Sequence, residues 1–165
     1  MRHMSGRRGL TVFLVAAGLW LSSSPRLFAD VPANAYVQRR NILKRRIGGR
    51  GLVWAGVPDY GFKKDFYYLT GVRVFEAVLL LVPGPGSDTL FVPDTRDARR
   101  IGEMAETSGV SAILPLAEFD RAFANLPAWD WSLYVPVPTD VYDPALEFLM
   151  RIRSRHSYLA VRDLA

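Results

Sequence analysis

The spacing of apolar residues after position 30 alternates between the period of a helix and that of a strand. Apolar positions three and four residues apart predict amphipathic helices, whereas short continuous apolar runs predict strands buried on both faces. The predicted helices are 33–47, 97–108, 116–125 and 143–155, and the predicted strands are 52–55, 75–82, 89–93, 110–114 and 132–137. The turn-rich stretch 83–88 predicts an antiparallel hairpin between two of these strands. Strand and helix alternation after that hairpin predicts an α/β fold, with a sheet of mixed direction and flanking helices.

The first 29 residues have a different pattern. Arg7 and Arg8 precede an apolar run from Leu10 to Leu21, and a small residue, Ala29, follows a short polar stretch. A helix over this run spans about 18 Å, short of the roughly 30 Å of a bilayer core. We therefore predict a signal peptide over 1–29 and a protein that is exported, either periplasmic or secreted, with no membrane contact after cleavage. The alternatives are an uncleaved anchor and a true start at Met4.

The net charge is concentrated in this same segment. The chain has 21 Lys and Arg and 16 Asp and Glu, which gives a formal charge of +5. Four of the arginines and none of the acids lie in 1–29, so the rest of the chain carries 17 basic and 16 acidic residues, or +1. This near balance removes most of the support for nucleic-acid binding, and we predict no nucleic-acid partner. The absence of cysteine excludes a disulfide scaffold, a cysteine nucleophile and an iron–sulfur site.

The first predicted helix is rich in basic residues. Arg39, Arg40, Lys44, Arg45 and Arg46 surround an apolar face that includes Tyr36, Leu43 and Ile47. A surface for an anionic partner and an ordinary solvated helix face both fit this pattern. We favour the solvated face, because arginine stems cover apolar surface while their charges remain in water.

Two acids, Asp94 and Asp97, follow the predicted strand 89–93. Carboxylates just past a strand end are often part of a site in α/β proteins. An acid at the start of a helix is also favoured by the helix dipole, and we favour this second interpretation.

No set of residues is spaced for catalysis. His156 is the one histidine after residue 29, so a Ser–His–acid triad is not available, and we expect His156 to lie on the surface. No glycine-rich phosphate loop follows a strand, and the acids are scattered rather than grouped as a two-metal site requires. We therefore predict no catalytic residue and no metal ligand in this chain.

The most distinctive segment is 65–71, where three consecutive aromatic residues precede Leu-Thr-Gly. Large aromatic side chains are unfavourable to expose, so we predict that most of them, including Phe66 and Tyr67, pack in the core. The segment itself is predicted to be a tight turn that enters the strand 75–82, with Gly71 relaxing the backbone.

These residues also resemble a known family. The resemblance is to the N-terminal domain of aminopeptidase P, the Xaa-Pro aminopeptidases of the creatinase/prolidase group. It is carried, in the same order and spacing, by Phe66-Tyr67-Tyr68-Leu69-Thr70-Gly71, Glu76-Ala77-Val78-Leu79, Leu90-Phe91-Val92 and Arg96-Asp97. It covers roughly 34–126. The sequence departs from the family pattern at Lys63-Lys64, where Arg-Gln is usual, and at Arg100-Ile101-Gly102, where a Trp-x-Gly segment is usual.

The resemblance implies a mixed sheet of ribonuclease-H-like topology over 30–165. In that family a separate catalytic domain of pita-bread fold holds two metal ions, commonly manganese, on two aspartates, a histidine and two glutamates, none of which can be assigned to this chain. The N-terminal domain is then non-catalytic and serves oligomerisation and access of proline-containing peptides. The candidate substrate-access or interface residues are Phe66, Tyr67, Tyr68, Leu69, Thr70, Gly71, Arg96 and Asp97.

Two main functional hypotheses follow; a third, an unrelated enzyme whose site the sequence does not reveal, is less favoured. The first is the N-terminal domain of an exported Xaa-Pro aminopeptidase-like metallopeptidase, truncated before its catalytic domain, with a second copy or that domain as partner. The alternative is a free-standing exported α/β module that binds a peptide or protein partner.

Overall fold

The computed structural model describes residues 31–84, 87–125, 132–135, 144–155 and 160–163. The helices in this part of the chain are α1 (Ala33–Ile47), α2 (Lys64–Thr70), α3 (Ala98–Ser108), α4 (Phe119–Ala124) and α5 (Pro144–Arg155). The strands are β1 (Arg50–Trp54), β2 (Gly56–Val57), β3 (Gly61–Phe62), β4 (Val78–Leu81), β5 (Thr89–Val92), β6 (Ala112–Pro115), β7 (Ser132–Val135) and β8 (Ala160–Asp163). Short 3₁₀ turns occupy Pro58–Tyr60 and Leu116–Glu118.

Six of these strands form one sheet in the order β6-β5-β4-β1-β7-β8, and β2 and β3 form a separate small hairpin. β4 pairs antiparallel with both β1 and β5, whereas the other neighbours in the large sheet pair parallel. β4 therefore runs against the other five strands. We call the side where those five strands end, and where β4 begins, the carboxyl edge of the sheet.

Helices cover both faces of the sheet. Alternate residues of each strand point to opposite sides, so apolar strands present an apolar surface to each helical layer. Leu52, Val78 and Phe91 point to the face that α4 and α5 cover. Val53 and Leu79 point to the other face, where side chains of α1, α2 and α3 pack. This arrangement confirms the predicted α/β class with a mixed sheet and flanking helices.

A buried ion cluster connects α1 to the rest of the domain. It is formed by Arg40, Lys44 and Asp88. Arg40 Nε and Lys44 Nζ donate to the two oxygens of Asp88, each at 2.8 Å. Arg40 also donates to the carbonyl oxygens of Leu69, Ser108 and Gly109, at 2.8 to 2.9 Å. The predicted solvated helix face is therefore wrong at Arg40 and Lys44, which lie on the buried stripe with Tyr36 at intervals of four residues.

The aromatic segment is a short helix rather than the predicted turn. Phe66, Leu69 and Thr70 are buried, and their spacing of three and four residues places them on one helical face. Gly71 ends α2 with a φ of 69° and donates its N–H to the Tyr67 carbonyl at 2.8 Å. A side chain at this position would place its Cβ 2.5 Å from Tyr36 Cζ. The chain thus leaves the helix through a position that requires glycine.

Several strand and helix boundaries also differ from the predictions. The predicted strand 75–82 begins only at Val78, because Glu76 has a left-handed backbone with a φ of 56°. The strand expected at 110–114 is β6, and the helix expected at 116–125 is a 3₁₀ turn followed by α4. The hairpin β2–β3 and the strand β8 were not predicted. Positions 136–137 of the predicted strand 132–137, the start of the helix 143–155, and His156 lie outside the described residues.

Candidate functional site

The helix α2 begins at the carboxyl edge of the sheet, directly after β1 and the small hairpin. The Lys63 N–H donates to the Ala55 carbonyl at 2.9 Å, which fixes the entry to the helix. Inside the helix, Phe66 is fully buried, and the Thr70 hydroxyl donates to the Phe66 carbonyl and accepts the Val72 N–H. The motif residues Phe66, Leu69 and Thr70 therefore hold the helix in place and are buried, and Gly71 ends the helix.

The other two motif residues face outward. Tyr67 is 39% exposed and Tyr68 is 56% exposed, so the predicted core packing is wrong for Tyr67. The Arg39 guanidinium lies 4.3 Å from the centre of the Tyr68 ring and donates to the Tyr68 carbonyl, and the Arg73 guanidinium lies 5.1 Å from the centre of the Tyr67 ring. Each exposed tyrosine thus carries an arginine against its face, in the geometry of a cation–π contact.

Phe62 extends this surface toward the start of β4. The centre of its ring lies 6.5 Å from that of Tyr67 and 5.8 Å from that of Phe75, which is also exposed. We call Tyr67, Tyr68 and Phe75, with Arg39 and Arg73 beside them, the aromatic surface. Tyrosine and arginine are enriched in protein interfaces, because both combine a large apolar contact area with hydrogen-bonding groups.

Arg96 and Asp97 lie beyond the end of β5, also at the carboxyl edge. Asp97 is the N-cap of α3, and its Oδ1 accepts the Arg100 N–H at 3.1 Å. Arg96 instead pairs with Asp94, through Nε at 2.9 Å and Nη2 at 2.8 Å. Hydrogen bonds from the Arg96 side chain and backbone hold the pKa of Asp94 well below its usual range, although both groups are exposed to solvent.

These two acids therefore have structural partners close in sequence. The capping role of Asp97 agrees with the favoured interpretation of an acid at a helix start. Across the described ranges, no hydrogen bond, ion pair or ring contact joins Arg96 or Asp97 to α2. The structure thus brings both sets of predicted residues to the same edge of the sheet without placing them in one site.

Metal-ligating side chains are not grouped in the described part of the chain. Those residues contain no set of three His, Cys, Asp or Glu side chains that could hold an ion. Among the same residues, no helix has the length and apolar character needed to cross a bilayer.

Comparison with known proteins identifies the fold. No protein-family model matches the sequence, and no curated protein matches it. Solved structures do match, among them several of aminopeptidase P. A Bacillus anthracis aminopeptidase P structure has a TM-score of 0.66 and 16% sequence identity, and the match covers 81% of this chain and 38% of that one.

Two further structures agree with this match. The Escherichia coli aminopeptidase P with the inhibitor Pro-Leu has a TM-score of 0.57 and 20% identity, over 82% of this chain and 36% of that one. Proline aminopeptidase P II from Yersinia pestis has a TM-score of 0.58 and 23% identity, over 81% of this chain and 37% of that one. The chain therefore has the fold of one part of aminopeptidase P, and it spans little more than a third of the length of these structures.

Proposed function

We propose that this chain is the N-terminal, non-catalytic domain of an exported Xaa-Pro aminopeptidase-like metallopeptidase. The observation that carries the proposal is the fold match, which covers 81–82% of this chain but 36–38% of the aminopeptidase P structures. The unmatched majority of those structures leaves room for a second domain in which the chemistry takes place. The motif from Phe66 to Gly71 and its place at the carboxyl edge of the sheet are consistent with this assignment.

In this proposal the aromatic surface is the contact with the catalytic domain or with a second copy of the chain. Tyr67, Tyr68 and Phe75 expose large rings at the carboxyl edge, and Arg39 and Arg73 add charge beside them. Covering such rings removes apolar surface from water while the phenol and guanidinium groups can still donate hydrogen bonds. The domain would then shape the access of proline-containing peptides to the catalytic site.

The resemblance also implies two manganese ions for the complete enzyme. A pair of such ions activates water for hydrolysis. The described residues of this chain do not fit a dinuclear site, because they hold no group of three His, Cys, Asp or Glu side chains. In this proposal the ions belong to the catalytic domain, and this chain contributes no catalytic step.

The second candidate is a free-standing exported module that uses the same aromatic surface to bind a peptide or protein. It is favoured by the exposure of Tyr67, Tyr68 and Phe75, because a surface of large rings suits a separate peptide or protein partner as well as a catalytic domain. The two candidates differ in what is encoded after codon 165. Sequencing the transcript in its source should show an in-frame Arg-x-x-Lys stretch and a two-aspartate metal motif, whereas unrelated sequence would favour the module.

The interface role can be tested on the chain itself. Analytical ultracentrifugation over a range of concentrations should show self-association that is lost when Tyr67 and Tyr68 are both replaced by serine. Tyr60→Ser is the matched control, because Tyr60 is also an exposed tyrosine but makes no ring contact among the described residues. A wild-type chain that stays monomeric would contradict oligomer formation by this domain, and equal effects of the two variants would contradict the assignment to α2.

Export has its own test. The apolar run from Leu10 to Leu21 and the small residue Ala29 support cleavage after position 29. N-terminal sequencing of protein from its source should find Asp30 as the first residue. Intact Met1 or Met4 would contradict the signal peptide.

A further inference from the structure

A groove of about 260 Å³ opens at the carboxyl edge of the sheet, on the face that α4 and α5 cover. Its aromatic wall consists of Trp54, the last residue of β1, and Phe148 of α5. The centres of these two rings are 4.9 Å apart, and the Arg151 guanidinium lies 5.2 Å from the centre of the Phe148 ring. The groove therefore has an apolar aromatic wall next to a charged group.

One buried donor in this wall has no partner. Trp54 Nε1 is shielded from solvent and makes no hydrogen bond within the described part of the chain. A buried N–H without an acceptor is unfavourable, and such groups are rare in folded proteins. Because the atom is shielded from solvent, a molecule in the groove does not reach it directly, and the indole N–H serves instead as a reporter of changes in the groove wall.

Two carboxylates, those of Glu76 and Glu147, also line the groove. Both residues are exposed, and neither side chain takes part in a hydrogen bond or ion pair with any described residue. With Arg151 the three charged groups give the groove a formal charge of −1. The carboxylates are thus free to accept hydrogen bonds from a cation, and the remaining charge favours one.

Glu76 occupies a strained backbone position, and its carboxylate makes no hydrogen bond or ion pair with any described residue. Its φ of 56° is left-handed, a conformation that glycine adopts most easily. The Glu76 N–H holds the backbone there by donating to the Gly56 carbonyl at 2.7 Å. Glycine would therefore serve the turn at least as well, and the carboxylate needs another explanation.

We propose that this groove binds a primary ammonium group carried on an apolar body. Glu76 and Glu147 accept hydrogen bonds from the ammonium group, and the partly exposed Trp54 ring contacts the apolar part of the ligand. The amino terminus of a peptide and a lysine side chain both present this group. The inference concerns a different surface from the aromatic surface of α2, so it stands or falls independently of the proposed interface and of the catalytic domain.

The test uses the full chain labelled with ¹⁵N, in which the indole N–H signal of Trp54 is identified by its loss in Trp54→Phe. Phenethylammonium is the probe, and N-acetylphenethylamine is its neutral control with the same ring. The Trp54 signal should shift saturably with the ammonium and not with the amide. Equal shifts with both compounds, or no saturable shift with either, would overturn the proposal.

Charge-neutral variants locate the binding. Glu76→Gln and Glu147→Gln should each weaken the affinity about 1.5- to fivefold, as expected for one solvent-exposed charge pair. Glu106→Gln on α3, an exposed acid away from the groove, should leave it unchanged. Unchanged affinity in both groove variants would overturn the assignment.

Two ligands then distinguish the sources of the ammonium. Alanyl-alanine amide presents an α-amino group beside a carbonyl, and Nα-acetyl-lysine N-methylamide presents a side-chain amine remote from one. Tighter binding of the first assigns the groove to peptide amino termini, and tighter binding of the second assigns it to lysine side chains. Failure of both to shift the Trp54 signal would overturn the proposal.

Glu76→Gly separates a ligand role from a structural one. It removes the carboxylate together with the steric conflict of a left-handed side chain, so the affinity should fall at least as far as in Glu76→Gln while the melting temperature stays equal or rises. A lower melting temperature would show that the Glu76 side chain serves the fold, and would contradict the inference.

Discussion

Replacing Arg40 with methionine tests whether the buried ion cluster holds the helical layer on α1 together. Arg40 is 0% exposed, and its guanidinium makes four hydrogen bonds, to Asp88 and to the carbonyls of Leu69, Ser108 and Gly109. Methionine keeps much of the aliphatic stem but supplies no donor. Two buried carbonyls, the part-buried carbonyl of Gly109 and one oxygen of Asp88 then lose that partner.

The expected loss is large. Removing one member of a buried ion pair typically destabilises a protein by about 3–5 kcal/mol. A domain of this size has about 5–15 kcal/mol of stability in total. At about 2–4 °C per kcal/mol, the melting temperature should fall by about 6–20 °C. Arg40→Lys should not restore it, because one ammonium cannot reach acceptors on three segments.

Thermal and urea unfolding followed by circular dichroism measure this loss for Arg40→Met, Asp88→Asn and the double variant. The matched control is Arg45→Met, on the same helix but exposed, which should change stability by less than about 0.5 kcal/mol. Because Arg40 and Asp88 share one network, the double variant should lose less than the sum of the single losses. Equal losses in Arg40→Met and Arg45→Met, or strict additivity, would refute the reasoning.

Three other predictions follow from the same structure. Phe66→Ala should cost about 3–5 kcal/mol, because Phe66 is fully buried, whereas Tyr68→Ala should cost less than about 1 kcal/mol; equal losses in urea unfolding would contradict this assignment of faces. Asp97→Ala removes the N-cap of α3 and should cost about 0.5–2 kcal/mol in the same assay, so a variant as stable as wild type would exclude the capping role. Arg96→Ala should raise the pKa of Asp94 toward its ordinary value, as followed by NMR titration of the carboxyl carbon. Because folding lowers the pKa of Asp94, its stabilising effect is present above the ordinary carboxyl pKa and is lost as the pH falls; a pKa that stays low in Arg96→Ala would contradict Arg96 as the cause.

The parts of the fold that local signals determine could be predicted from the sequence. The bounds of α1 follow from its periodicity and from Gly48, which ends the helix with a φ of 64°. The hairpin of β4 and β5 follows from two apolar runs that flank a Pro- and Gly-rich turn. The end of α3 at Gly109 was likewise visible as a break in the pattern.

The parts of the fold that depend on residues distant in sequence could not be predicted. The spacing of four residues places Arg40 on the face of Tyr36, but it does not show that a charged side chain can be buried there, because the acid that pairs with Arg40 is 48 residues away. The helix α2 has seven residues, too few for a clear period, and three adjacent aromatic rings hide which of them faces the core. The strand predicted at 75–82 was too long, because a left-handed backbone at a glutamate such as Glu76 has no sequence signature. The free carboxylates of the groove lie on elements that are brought together only by the fold.

The long reach of Arg40 also bears on how the domain folds and unfolds. Its acceptors lie 29, 48, 68 and 69 residues along the chain, so the bonds can form only after α2, the hairpin and α3 have assembled. Contacts that close such large loops are costly in chain entropy and tend to form late. Interactions absent from the transition state control the unfolding rate rather than the folding rate. The cluster should therefore slow unfolding without changing the folding rate. A chain that lacks the cluster should refold at nearly the same rate but unfold faster, so its lifetime should be shorter in the presence of proteases that attack the unfolded form.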